Sequence, residues 1–251
     1  MGLASRPTGS CCWKRLNKNT MGMHTMVYNT ENKHKVAIVG VGGAGCNFVS
    51  AFTGRCDMDT IAINTDKEAL HASTADRKIY ICKGVVLHGE GAKGDAKLGM
   101  QCADIHIKEI KEALAGYEKA FIVAGLGGGT GTGATPVVIE AAQSQNVMTF
   151  AIAIKPFSFE GSRVEVAKEG FGRIRAVCPY AAAIGNDIIL SRMSDMTMDE
   201  AYSSINSVIM AHIEACVAEY PQNNDRDVTE ECAAVFDNFV QKSPIADFIN
   251  A

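Results

Sequence analysis

The chain has 251 residues, of which 47% are hydrophobic and 21% charged, and its formal net charge at pH 7 is −4. Such a length and composition are typical of a globular protein with one large domain, alone or with appendages. The negative charge gives no signal for nucleic-acid binding, and no apolar run is long enough to span a membrane.

The first 34 residues differ from the rest of the chain. They are polar and basic, show no sustained periodicity, and contain no apolar segment after the charges that would make them a secretory signal. We predict a basic, disordered arm over residues 1–34. The alternatives are an arm that contacts a membrane or a partner through Trp13, or a natural start at Met21, Met23 or Met26.

From residue 35 onward, strand-like and helix-like segments alternate. Six short apolar runs resemble strands, namely Lys35–Val39, Thr60–Ile63, Lys78–Ile81, Lys119–Ala124, Val147–Ile154 and Tyr180–Ile184. Five segments resemble helices, namely Gly45–Thr53, Gly94–Ala115, Ala134–Ser144, Arg163–Ala176 and Asp199–Tyr220. This alternation predicts an α/β fold with a doubly wound, mostly parallel sheet and helices on both faces. Ligands in such folds bind at the carboxyl ends of the strands.

Loops after the first two predicted strands favour a nucleotide ligand. The first loop, Gly40–Asn47, contains a GxGGxG pattern, in which glycines let backbone amides approach a phosphate. The second, Asn64–Asp66, places an acid about 20 residues beyond those glycines, as dinucleotide-binding enzymes do. Helix capping by Thr65 or Asp66 is the alternative for the second loop.

The strongest signal is the run GGGTGTG at Gly127–Gly133. It follows a strand-like run and precedes a helix-like one, so its amides and the helix N-terminus predict a phosphate site. A tight turn with close helix–strand packing is the alternative, although that needs fewer than the five glycines present. A second phosphate loop argues against a NAD-dependent oxidoreductase, which uses one, and favours a nucleotide whose two or three phosphates are held from both sides.

Two further loops carry charged groups that suit the same ligand. In His88–Asp95, Lys93 can act as a point charge on a phosphate, with a flexible surface loop as the alternative. In Lys155–Arg163, Glu160 can accept hydrogen bonds from ribose hydroxyls and Arg163 can reach sugar or phosphate. The alternative for this loop is a proline-containing turn with a surface ion pair.

The last predicted helix and the loop before it suit a purine. Tyr202 and Asn206 are four residues apart and therefore share one helix face. Tyr202 can stack on a base, while the amides of Asn186 and Asn206 can both donate to and accept from guanine. A half-buried tyrosine with a capping asparagine is the alternative.

Together these stretches resemble the tubulin/FtsZ superfamily of GTP-binding, filament-forming proteins, and in particular its prokaryotic cell-division FtsZ branch. The resemblance covers about Lys35 to Tyr220. Six stretches match in order: VGVGGAGCN (Val39–Asn47), AINTD (Ala62–Asp66), GEGAKGDAKLG (Gly89–Gly99), GLGGGTGTGATPVV (Gly125–Val138), KPFSFEG with Arg163, and GND with Tyr202 and Asn206. It implies a GTP-binding α/β domain over residues 35–198 and a central helix over residues 199–220.

The resemblance also implies ligands, partners and site residues. GTP or GDP would bind with Mg²⁺ held mostly by water, in a protein that self-associates head to tail or joins a full-length relative. Separately from the resemblance, the nine scattered cysteines, with no CxxC and no metal-type spacing, indicate reduced thiols in a cytoplasmic protein. Nucleic acid would not be a partner, and membrane contact would be indirect or through the N-terminal arm. The implied nucleotide-binding residues are Gly42, Gly43, Ala44, Gly45, Cys46, Asn47, Asn64, Thr65, Asp66, Ala92, Lys93, Gly128, Gly129, Thr130, Gly131, Thr132, Gly133, Pro156, Glu160, Arg163, Asn186, Tyr202 and Asn206. The spacing from Glu160 to Arg163 is one residue shorter than is usual in the family.

The C-terminal part departs from the family pattern. Members have a second domain after the central helix, whereas residues 221–251 are predicted to form a remnant loop and short helices, so we expect that domain to be lacking. Members also hydrolyse GTP across a subunit boundary with an NxDxxD loop whose acids polarise the attacking water. Here Asn223 and Asp225 fit the first half, but the next acid, Asp227, comes one residue early. Asp225 and Asp227 are the candidate catalytic residues, acting in trans.

Two functions remain open at this point. One is an FtsZ-like cytoskeletal or cell-division GTPase that hydrolyses GTP after assembly. Its hydrolysis is expected to be slow because Asp227 comes one residue early, and misplacing a catalytic group by about 1 Å costs on the order of a hundredfold in rate. The other is a non-polymerising GTP-binding regulator or cap of a full-length FtsZ-like filament. Polymerisation, useful turnover, and the choice between division, cell shape and regulation are not decided by the sequence.

Overall fold

The computed structural model describes residues 35–55, 57–81, 84, 89–192 and 197–218. The predicted N-terminal arm and the predicted remnant at residues 221–251 lie outside this range. Within it, no helix combines the length and the apolar character that crossing a bilayer requires.

The described residues contain one six-stranded parallel sheet. Its strands are β1 (Val36–Val41), β2 (Asp59–Asn64), β3 (Arg77–Tyr80), β4 (Lys119–Gly125), β5 (Met148–Lys155) and β6 (Ala181–Gly185). They lie in the order β3-β2-β1-β4-β5-β6, and every neighbouring pair is parallel. All six predicted strands are confirmed to within two residues at each end. The order reverses between β1 and β4, which is where doubly wound sheets bind their ligands.

Helices cover both faces of this sheet. They are α1 (Gly42–Phe52), α2 (Lys67–Ala72), α3 (Ala96–Ile105), α4 (Ile107–Leu114), α5 (Gly129–Gln143), α6 (Ser162–Val177), α7 (Asp187–Arg192) and α8 (Met198–Ala218), with a short 3₁₀ turn at Ser158–Glu160. The doubly wound α/β fold is therefore confirmed.

The alternation of side chains along each strand explains the two layers. Val39 and Val41 pack with residues of α3, α4, α5 and α6 in one cluster, whereas Val36 and Ile38 pack with α1, α2, α7 and α8 in the other. Because both faces are covered, β1 is buried at every position and reads as a continuous apolar run. Burial of this kind holds the ends of β1 and β4 in place beneath the loops that follow them.

Several predicted helix boundaries were wrong. The segment predicted as one helix over Gly94–Ala115 divides at His106, where the backbone leaves the helical region with ψ 19°. The helix predicted from Ala134 begins five residues earlier, at Gly129, so most of GGGTGTG is the first turn of α5 rather than a loop. The short helices α2 and α7 were not predicted, because six residues each are too few to show a helical period.

Candidate functional site

A cavity of about 970 Å³ opens at the carboxyl ends of the strands. Its volume is at the upper end of the range for small-molecule sites. All six stretches singled out in the sequence contribute to its wall. The predicted residues that line it are Gly43, Ala44, Asn47, Asn64, Asp66, Lys93, Gly128, Gly129, Thr130, Gly131, Pro156, Glu160, Arg163, Asn186, Tyr202 and Asn206.

Two helices begin at this cavity without a cap. Neither α1 nor α5 has a side-chain cap among the described residues or an acid in its first turn. By contrast, α2 and α3 are capped by the carboxylates of Asp66 and Asp95. Uncapped helix N-termini expose amide donors and about half a positive charge each. Their convergence on one cavity is an arrangement that suits an anion.

Glycine serves two purposes in the walls of the cavity. A Cβ at Gly131 would lie 2.1 Å from the Gly125 carbonyl oxygen, and Gly42 has φ +75° with its Cβ position 2.9 Å from the Gly131 nitrogen. These glycines allow the two loops to touch. At Gly43 and Gly128, however, a Cβ would meet no described atom within 4 Å. Close packing thus accounts for part of GGGTGTG, while Gly43 and Gly128 leave open space for a ligand.

Some predicted site residues lie behind the cavity wall instead of lining it. They are Gly42, Gly45, Cys46, Thr65, Ala92, Thr132 and Gly133. Their contacts support the wall: the Thr65 and Thr130 hydroxyl oxygens are 2.5 Å apart, and the Thr132 hydroxyl accepts from the Gly127 amide at 2.9 Å. Close backbone contacts accompany this burial: a Cβ at Gly45 in α1 would lie 2.5 Å from the Val123 carbonyl oxygen, and one at Gly133 in α5 would lie 1.9 Å from the Ala96 carbonyl oxygen.

Cys46 lies directly under the first loop and is fully buried. Burial raises the pKa of its thiol from 9.0 to about 11, against weaker opposing contacts with Asn64 and the Ile63 carbonyl. A thiol in this state is neutral at physiological pH and makes a poor nucleophile. Cys46 is therefore a packing residue in the structure.

The alternatives for two of the loops prove compatible with the site. Asp66 does cap α2, accepting from the Ala69 amide at 2.9 Å, and it still lines the cavity. Lys93 forms an ion pair with Glu90, and both residues lie at the cavity edge with much of their surface exposed. Neither loop is free of internal contacts, so a ligand would share these groups with the protein.

Glu160 is the last residue of the 3₁₀ turn and Arg163 is the second residue of α6; they form an ion pair at 2.5 Å across Gly161, whose φ is +57°. The other oxygen of Glu160 accepts from the Phe157 amide at 2.8 Å, and Arg163 Nε donates to the Gly127 carbonyl at 3.3 Å. Facing them, Tyr202 is 38% exposed. Partial burial raises the pKa of its hydroxyl, the Glu160 charge raises it further, and the Arg163 charge opposes both. All three residues line the cavity.

Other cavity residues were missed by the sequence analysis. They are Ala51, Ala69, Glu90, Gly91, Gly125, Leu126, Ile154, Phe157, Phe159, Asp199 and Ser203. Phe159 is 70% exposed and stacks on Phe157 with 5.0 Å between ring centroids. Asp199 stands three residues before Tyr202, so helical spacing was a signal that could have identified it. No sequence signal marks Phe159 as exposed.

The described residues contain no group of three or more His, Cys, Asp or Glu side chains that could hold a metal ion. The candidate catalytic residues Asp225 and Asp227 lie outside the described range, so their role stays a prediction. None of the described cysteines is joined in a disulfide.

Comparison with known proteins agrees with this geometry. Residues 35–194 match the model of the Tubulin/FtsZ family, GTPase domain. The chain is 34% identical over 177 residues to cell division protein FtsZ 2 of Methanocaldococcus jannaschii, covering 70% of this chain and 46% of that protein. It is 35% identical over 195 residues to cell division protein FtsZ 2 of Rhizobium meliloti, covering 76% and 56%. The chain thus spans about half the length of these curated relatives.

Solved structures show the same fold. An empty FtsZ dimer from M. jannaschii superposes with a TM-score of 0.72 at 32% identity, covering 84% of this chain and 62% of that one. CetZ2 from Haloferax volcanii, solved as a GTPγS-bound protofilament, gives a TM-score of 0.67 at 28% identity, covering 78% and 62%.

Proposed function

The chain belongs to the Tubulin/FtsZ family, and we propose on that basis that it binds GTP and GDP in the cavity at the carboxyl ends of the strands. The observation that carries the proposal is the convergence of two uncapped helices, α1 and α5, on one cavity with open space at Gly43 and Gly128. Amides of both helices would hold the phosphates. Such a cradle suits a nucleotide with two or three phosphates.

Three other residues that line the cavity suit the base. Tyr202 is exposed enough to stack on a purine, and Asn186 and Asn206 offer amides that match the mixed donor and acceptor edge of guanine. The described residues contain no group of three or more His, Cys, Asp or Glu side chains that could hold a metal ion. Mg²⁺ would therefore be held by phosphate oxygens and water, as this ion prefers. It would neutralise charge on the phosphates.

Titration of the full chain with GTP, GDP, ATP and NAD tests the proposal. We expect GTP and GDP to bind and NAD to bind far more weakly. Thr130→Ala removes a hydroxyl at the phosphate end and is expected to weaken GTP binding. Binding of NAD without GTP would contradict the proposal and revive the oxidoreductase interpretation.

We further propose an FtsZ-like cytoskeletal or cell-division GTPase of the cytoplasm. Related structures were solved as a dimer and as a protofilament, and head-to-tail contacts of that kind generate open filaments. Asp225 and Asp227 of one subunit would orient water on the next subunit's GTP. A turnover number that rises steeply with protein concentration, together with light scattering from filaments, is the expected result. A turnover independent of concentration would contradict assembly-dependent hydrolysis.

A second candidate is a non-polymerising GTP-binding regulator or cap of a full-length FtsZ-like filament. It is favoured by the position of Asp227, one residue early for the NxDxxD pattern, with Val228 in the expected place. Sedimentation separates the two candidates. GTP-dependent pelleting of the chain alone supports the first, whereas pelleting only with a full-length relative supports the second.

A further inference from the structure

Two threonine hydroxyls meet at the N-terminus of α5. The hydroxyl oxygens of Thr65 and Thr130 lie 2.5 Å apart, although the two residues are 65 positions apart in the chain. Thr130 is the second residue of α5 and lines the cavity. Thr65 follows the end of β2 and is fully buried behind the cavity wall. The pair therefore joins a group that a ligand can reach to one that is closed off from it.

The described residues give each of these two hydroxyls only the other as a hydrogen-bond partner. Other threonines of α5 differ, because they contact the backbone. The Thr132 hydroxyl accepts from the Gly127 amide, and the Thr135 hydroxyl donates to the Gly131 carbonyl at 2.6 Å. A hydroxyl carries one proton and two lone pairs. Two hydroxyls in contact consequently use one of their two protons between them and leave the other for a third group.

Burial decides which of the two threonines donates. If Thr130 donated to Thr65, the Thr65 proton would be left in the interior without an acceptor among the described residues, and an unsatisfied buried donor is costly. If Thr65 donates to Thr130, its proton is used, and the Thr130 proton is free to point into the cavity. The second arrangement leaves no buried donor of the pair unsatisfied, so it is the one that the structure favours.

The loop that carries Thr65 is held by its own contacts. The Asp66 amide donates to the side-chain oxygen of Asn64 at 3.2 Å, and the Asp66 carboxylate caps α2. A Cβ at Gly91 would lie 3.7 Å from the Thr65 hydroxyl oxygen, so a second loop packs close to it. Because its neighbours are fixed, Thr65 presents its hydroxyl to Thr130 before any ligand arrives.

We propose that Thr65 is a positioning residue for nucleotide binding, whose hydroxyl donates to Thr130 and so directs the Thr130 proton towards a phosphate oxygen. The proposal rests on the proposed GTP binding and deepens it, because it gives a role to a residue that the ligand does not touch. A phosphate oxygen is a charged acceptor, so a correctly aimed hydroxyl forms a charge-assisted hydrogen bond with it. A hydroxyl that also accepts from a neighbour is polarised and donates more strongly.

The test measures the dissociation constant of GTP for the full chain and for two variants at Thr65. Thr65→Ser and Thr65→Ala both lack the methyl group, so they differ from each other only in the hydroxyl. We expect the serine variant to bind GTP as the parent does. The alanine variant should bind roughly threefold to tenfold more weakly, the effect of one neutral hydrogen bond. Equal affinities of the two variants would overturn the proposal.

A double-mutant cycle with Thr130→Ala separates positioning from a merely structural role. If Thr65 acts through the Thr130 hydroxyl, Thr65→Ala should weaken binding by less than about twofold in a chain that already carries Thr130→Ala. A loss as large as in the parent background would show that Thr65 acts by another route and would overturn the proposal. So would an unchanged GTP affinity in Thr130→Ala alone.

Thr149→Ala is the matched control, because Thr149 is also a buried threonine but lies at the start of β5 and does not line the cavity. It should leave GTP affinity unchanged, and a loss equal to that of Thr65→Ala would count against the proposal. Thermal melting of each variant checks that the fold is retained. If Thr65→Ala does not fold, Thr65→Val, which also lacks the hydroxyl, replaces it in both comparisons.

The outcomes for the pair and for the site are distinguishable. A failure of the comparisons at Thr65 would overturn the positioning role while GTP binding stands. Failure of the parent chain to bind GTP would overturn the proposed function itself.

Discussion

Replacing Gly43 by alanine separates nucleotide binding from stability. Gly43 is the second residue of α1, its φ is not positive, and a Cβ there would meet no described atom within 4 Å. Alanine therefore adopts the native backbone without strain and restricts the unfolded chain, which stabilises a protein by about 0.4–1 kcal/mol. For a chain of this size the melting temperature should rise by roughly 1–4 °C.

The same methyl group projects into the cavity where the phosphates are proposed to lie. Forcing an extra methyl into occupied space costs about 1–3 kcal/mol. The Gly43→Ala variant should consequently bind GTP roughly 5- to 150-fold more weakly than the parent. Calorimetric titration with GTP and a thermal melt without nucleotide measure the two effects on the same preparation.

Gly172→Ala is the matched control for this prediction. Gly172 is also a helical glycine with open space around its Cβ position, but it lies in α6 and does not line the cavity. Alanine there should give a similar gain in stability with unchanged GTP affinity. The reasoning is refuted if Gly43→Ala binds GTP as tightly as the parent, or if Gly172→Ala loses as much affinity.

Three other changes test the walls of the site and the trans-acting loop. Gly131→Ala brings a methyl group within 2.1 Å of the Gly125 carbonyl oxygen, so it should lower the free energy of unfolding, measured by denaturant titration, by about 1–3 kcal/mol. An unchanged midpoint of the unfolding transition would contradict the close contact between the two loops. Burial raises the pKa of the Cys46 thiol to about 11 and keeps the thiol protonated. Iodoacetamide at pH 8 should therefore label Cys46 only after denaturation, as measured by mass spectrometry, and fast labelling of the native protein would argue against its burial. Asp225→Ala and Asp227→Ala should lower GTP turnover in assembled protein without changing GTP affinity, and loss of binding in either would show that this loop belongs to the subunit's own site.

The strands and the location of the cavity could be predicted from sequence because both follow from short-range patterns. An apolar run such as Val36–Val41 predicts a buried parallel strand, and parallel strands bring their carboxyl ends to one edge. The start of α5 could not be predicted, since glycine and threonine are weak helix formers and it is contact with α3 that favours helix there. A Cβ at Gly133 would lie 1.9 Å from the Ala96 carbonyl oxygen, a constraint that only the assembled fold contains.

The partners of individual side chains were equally out of reach. Glu160 and Asp199 are both acids that line the cavity, and the sequence singled out Glu160 because it belongs to a recognised stretch. In the structure the Glu160 carboxylate accepts from the Phe157 amide and from Arg163, whereas Asp199 lies in the first turn of α8. That difference arises from the turn at Ser158–Glu160, which brings the amide and the guanidinium to the same carboxylate.

The charges around the cavity indicate how it would hold a triphosphate. Four carboxylates but only two cationic side chains of the described residues line it, and each cation, Lys93 and Arg163, is paired with an acid three residues away. Side chains therefore supply no net positive charge to attract phosphate. On the proposed function, the attraction would come from the amides and dipoles of α1 and α5 and from a bound cation. We therefore expect the glycines of both loops to contribute more to nucleotide binding than Lys93 or Arg163, because glycines determine how closely the backbone can approach the ligand.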